Sequence, residues 1–124
     1  MKISQLNMTY GQDQLSTIKK NFFHILSLAK DEVFFLRTAI IEGRIEGSVY
    51  QGECSCLIGT IAIARKVSYR HLKGITPYVG NPAESFFLSI KKGDTPENSS
   101  FSKQALDWVN EFILHHNLTE KKET

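Results

Sequence analysis

Two cysteines, Cys54 and Cys56, open a stretch running to Ala64 that carries no charged side chain. A thiol attacks only as the thiolate, and the unpaired N–H groups and dipole of a helix N-terminus lower its pKa. Cys56 in the first turn of a helix, with His71 as its base, is therefore the arrangement in this chain that would suit cysteine-dependent catalysis. The competing reading makes both cysteines small buried hydrophobes, since Cys is among the residue types most often inside. That reading is preferred, because exposing the Cys56 sulfur would tend to expose Leu57 and its neighbours. No catalytic residue is assigned, and Cys56 with His71 stands as the alternative.

The same thiols joined by two of His71, His115 and His116 would make a metal set. Two cysteines at this spacing on one helix point about 200° apart and cannot share an ion, though in a turn they can. A C-x-C pair with no second spaced pair is weak support for zinc, so no metal and no cofactor is expected.

Arg65, Lys66, Arg70 and Lys73, with Tyr69 among them, form the segment best suited to phosphate contact and base stacking. Lys19-Lys20 and Lys91-Lys92 would extend it. Cations at a helix C-terminus also simply oppose the negative pole of the dipole. The formal net charge of +2 does not by itself call for a polyanionic partner. Nucleic-acid binding through Arg65–Lys73 is thus an alternative, not the favoured reading. Residues 93–100, GDTPENSS, lack the glycine spacing and lysine of a phosphate-cradling loop. Glu42, Glu46 and Glu53 read as a solvated acidic cluster.

These residues need elements to position them. Leu15, Ile18, Phe22, Ile25 and Ala29 recur at helical spacing, and Phe23, Leu26 and Leu28 widen the stripe. Asp31 is placed to cap a second helix over 31–42, with Val33, Leu36 and Ile40 inward and Gly43 as its stop. Whether the two are separate or one kinked rod is open, for no Gly or Pro divides them. Residues 45–50 read as an extended connector or a short strand. Ser55 is the best cap for the charge-free helix, which puts Cys56 at its first position. Asn81-Pro82-Ala83-Glu84 gives three start signals, a cap residue, a first-position Pro and a Glu three after the cap. The following Phe86, Phe87, Leu88 and Ile90 are read as helix, with a buried strand as the alternative. After the GDTPENSS loop, Phe101, Ala105, Trp108 and Phe112 mark a last helix that frays near His116-Asn117, with Asp107, Asn110 and Glu111 outward.

The segments GSVYQGECSCLIGTIA, NPAESFFLSIKKGDTPEN and DWVNEF together resemble a small phage-related and bacterial domain in which GS-Y-GEC-C-L-GT and PAE-FL-I--GDTPE occur in the same order. The likeness spans roughly Ala39 to Phe112 and implies a single module, with no activity and no catalytic residue to carry over. QGECSC also echoes papain-like cysteine proteases, but the Trp that should follow is missing, the spacing is one residue short and the chain is too small for that fold.

The 124 residues, 41% hydrophobic and 23% charged, have the composition of a globular domain. The expectation is one domain over residues 1–118 with a disordered tail over 119–124. Its fold class is mainly α: a compact bundle of about five helices around the buried 56–64 helix, with at most one small strand pair. The N-terminus lacks the apolar core of a signal peptide, so a cytoplasmic setting with reduced thiols is expected. Function is read as a small non-enzymatic binding or interaction module whose partner is not identified by the sequence; a protein is expected, and not a membrane.

Overall fold

The computed structural model describes residues 10–46, 56–66 and 82–119. Within them lie five α-helices and one turn of 3-10 helix: α1 (Gln12–Ser27), the 3-10 turn (Lys30–Glu32), α2 (Val33–Ile41), α3 (Leu57–Arg65), α4 (Pro82–Phe87) and α5 (Ser100–His115). The chain is a compact helical bundle, as its periodicities imply. Of the strand expected over 45–50, Ile45 is a single bridge residue and Glu46 has no regular structure; residues 47–50 lie outside the described residues.

α1 begins at Gly11, whose N–H is taken by the Gln14 side chain at 2.9 Å, and it buries Leu15, Ile18, Phe22, Ile25 and Leu26. Ala29 is buried as its spacing requires, while Leu28 is 38% exposed and does not widen the stripe. The question of one rod or two is settled by backbone geometry: Ala29 leaves the helical region at φ −138°, ψ 40°. Asp31 does not cap α2. It lies in the 3-10 turn, and Glu32 is the residue before Val33.

Gly43 ends α2 as expected. At φ +73° it lets its own N–H reach Ile40 O and the Arg44 N–H reach Ala39 O at 2.9 Å, closing the helix with the paired bonds of a Schellman motif. A Cβ at Gly43 would lie 3.2 Å from the Gly93 backbone, and Gly93 N–H donates to Gly43 O at 2.8 Å. The GDTPENSS loop is thereby docked on the end of α2. Inside the loop, Asp94 accepts from Lys91 N–H and Asn98 from Thr95 N–H, each at 2.9 Å.

α2 packs on α5 and α3, and α1 packs on α4 and α5. Leu57 to Ala62 are all buried, so the charge-free helix is interior; only its last turn surfaces, at Ile63. Phe22, Phe86, Phe87 and Trp108 meet ring to ring at centroid distances of 5.2–6.3 Å. Such pairs add about 0.5–1.5 kcal/mol each beyond their burial.

Candidate functional site

Cys56 precedes α3 as its N-cap and is not its first helical residue. Ser55, the expected cap, lies outside the described residues. The Cys56 sulfur accepts the Gly59 N–H at 3.3 Å, and its carbonyl takes the first helical bond from Thr60 N–H at 2.8 Å. Sulfur is a weak acceptor, so the helix end needs more than the cap. The missing acceptor comes from α4: Glu84 Oε1 takes the Ile58 N–H at 2.7 Å. A carboxylate fits there because a helix N-terminus exposes unpaired N–H groups and the positive end of the dipole.

Glu84 and Cys56 are also bonded to each other, the thiol donating to the carboxylate. Glu84 is 2% exposed and Cys56 is fully buried. Burial first, then the neighbouring Glu84 charge, pushes the Cys56 thiol up to about 12, against the lowering bonds from Gly59 and Ile58. Burial likewise raises Glu84 above the usual carboxylate range, opposed by its bonds from Ile58 and Cys56. The helix dipole was expected to favour a thiolate at this position; desolvation and an adjacent acid outweigh it, and the thiol stays protonated. His71 and Cys54 lie outside the described residues.

Glu84 is the residue that sequence reasoning missed. Read as a capping-box acid, it instead reaches across to a different helix, and α4 takes its own cap from outside as well: Asn21 Oδ1 on α1 accepts the Ala83 N–H at 2.9 Å. A usable signal was present, because a Glu among Ala83, Phe86 and Phe87 on a helix of only 6 residues has little chance of facing water.

Of the basic segment, Arg65 and Lys66 are described. Arg65 is committed inward, its guanidinium paired with the buried Glu32 carboxylate and donating to Leu28 O. Lys66 holds the left-handed C-cap of α3 at φ 62°. Tyr69, Arg70 and Lys73 lie outside the described residues. Lys19 is paired with Glu111 at 2.5 Å, and Glu46 accepts the Lys92 N–H at 3.2 Å. Among the described residues no group of three or more His, Cys, Asp or Glu side chains is placed to hold a metal ion. No helix of the described residues is long and apolar enough to cross a membrane.

On the surface, a cleft of about 770 Å³ opens where α2 and its C-terminal turn meet the turn after α5. Its lining includes Phe34, Phe35 and Thr38 of α2, with Lys30, Arg44 and Leu118 around them. The volume lies in the range of small-molecule sites, roughly 300–1,000 Å³. The far wall is fixed by a second Schellman closure: Asn117, at φ 53°, allows Leu118 N–H to reach Ile113 O at 3.0 Å. Sequence reading did not find this cleft, since its residues come from three separate stretches and share no motif.

No protein-family model, curated protein or solved structure matches this chain.

Proposed function

We propose that this chain is a small non-enzymatic binding module, one domain over residues 1–118, in which Cys56 serves the fold. The observation that carries the reading is the state of Cys56: fully buried, donating to Glu84, and pushed up to about 12. A nucleophilic thiol must be both accessible and acidic, and this one is neither. The segments of the sequence resemblance acquire a structural purpose on this reading. The second Cys of GEC-C and the Glu of PAE join α3 to α4, while GDTPE docks the following loop on α2. A cytoplasmic, phage-like or bacterial setting belongs to the same proposal and keeps the thiols reduced.

The test is the pH profile of iodoacetamide labelling at Cys56 in the folded protein, read on its own peptide by mass spectrometry so that Cys54 does not contribute. Labelling should stay slow at neutral pH and show no midpoint at or below the ordinary thiol value of about 8.5. Rapid labelling with a midpoint well below that value would restore Cys56 with His71 as a catalytic pair.

A further inference from the structure

We propose that residues 28–32 are a latched hinge: with the Arg65 latch released, α1 and α2 join into one helix, and α2 is exchanged with a second copy of this chain in a domain-swapped dimer. The proposal is independent of the reading of Cys56, and its failure leaves that reading unchanged.

The sequence of the hinge is that of a helix. Leu28, Ala29, Lys30 and Glu32 are good helix formers, and residues 28–32 hold no Gly, Pro or β-branched side chain. Hydrophobic spacing also runs through the break without a change of phase. Phe22, Ile25, Ala29, Val33, Leu36 and Ile40, all buried, follow one another in steps of 3 or 4 residues and would fall within an arc of about 80° on one continuous helix. A break placed where the sequence favours continuity must be imposed by another element.

Arg65, at the end of α3, imposes it. A continuous helix needs the Glu32 N–H to donate to Leu28 O, four residues back. Here the Arg65 guanidinium donates to Leu28 O and pairs with the Glu32 carboxylate, and the Glu32 N–H turns to Ala29 O instead, at 3.0 Å. One side chain thus engages both residues of the missing helical bond. Glu32 is 8% exposed, so the pair is sheltered from the screening that weakens surface ion pairs.

The partner follows from the geometry. A helix from Gln12 to Ile41 would be about 45 Å long, against about 35 Å for the width of a globule of this size. α2 packs on α3 and α5 rather than on α1, so it leaves its own neighbours when the hinge straightens. The α3 and α5 surface of a second copy has the same shape and receives it, reciprocally, as a two-fold exchange requires.

The experiment refolds the full chain and its Arg65→Met variant from urea at about 1 mM, where mass action favours exchange between copies. A thiol reductant keeps Cys54 from linking chains. Mass is read by light scattering after size-exclusion chromatography, and the backbone of the hinge by the 13Cα NMR shift of Ala29. Arg65→Met should give a dimer about tenfold or more as abundant as in the original protein. In that dimer Ala29 should take a helical shift, while amides away from residues 27–33 and from position 65 keep their monomer positions. Adding Lys30→Gly, an exposed change that disfavours a helix interior, should lower the dimer fraction about threefold or more. A folded Arg65→Met that stays monomeric, a dimer in which Ala29 keeps its non-helical shift, or a dimer fraction that Lys30→Gly leaves unchanged would each overturn the proposal. Should Arg65→Met not fold, Glu32→Gln, which keeps an oxygen for Arg65 and loses the charge, carries the same test. Its dimer fraction must exceed that of the original protein, and equality overturns the proposal.

Discussion

Glu84 is a carboxylate kept almost entirely from water, which is tolerable only because of what it accepts: the Ile58 N–H and the Cys56 thiol. Its raised pKa has a consequence for stability, with the sign fixed by linkage. A group whose folded pKa lies above its unfolded value contributes stability that is full below the unfolded pKa and is lost as pH rises through the folded one. Glu84→Gln keeps an oxygen for Ile58 and removes the titration. Urea melts from about pH 4 to about pH 8 should therefore show the original protein losing stability relative to the Gln variant as pH rises. A difference that is flat or grows the other way would mean that Glu84 is not desolvated. Cys56, raised to about 12, acts in the same direction at alkaline pH. At this scale the sequence was half legible. The apolar run around Cys56 announced a buried sulfur, while Glu84, which takes the Ile58 N–H just inside the same helix end, stayed hidden, because no local spacing links Ile58 and Glu84, 26 residues apart in the chain. Arg65 was read as a solvated helix-end cation for the same reason: its partner Glu32 comes from another element.

The helices themselves were largely legible, since each carries its apolar residues at a spacing that only one backbone conformation can bury on one side. α1, α2 and α5 bury the residues that their periodicity selects. The boundaries followed less well. No Gly or Pro in residues 28–32 marks a break, the cap signal at Asp31 is not used, and the separation of α1 from α2 rests on the backbone at Ala29. α4 is helical from Pro82, as its start signals require, yet stops after 6 residues, with Ser89 and Ile90 already bonding back through three-residue turns. α3 is the element on which the architecture depends. Leu57→Ala and Ile61→Ala, at positions 0% and 1% exposed, should each cost about 2–5 kcal/mol, as truncations in a packed core do. Equilibrium urea denaturation of both variants gives the answer. Losses under about 0.5 kcal/mol at both positions would place α3 on the surface and remove the basis of the fold.

At the scale of the whole molecule, hydrophobic periodicity pointed to a mainly helical bundle, while the arrangement came from contacts no motif encodes. Asn21 of α1 caps α4, Glu84 of α4 caps α3, and Arg37 of α2 donates to Asn110 of α5 at 2.7 Å. In each of these three contacts a helix end or face is completed by a different helix, so the helices should open together and not one by one. The central claim, that Cys56 is part of the core, then becomes a statement about global unfolding. Its most direct test is pulsed thiol labelling of Cys56 across a urea series, read on the Cys56 peptide and set beside helix content from circular dichroism. The account predicts that labelling of Cys56 rises only in the transition where helix is lost, with the two midpoints coincident. Substantial labelling of Cys56 in low urea, while helix content is intact, would contradict it.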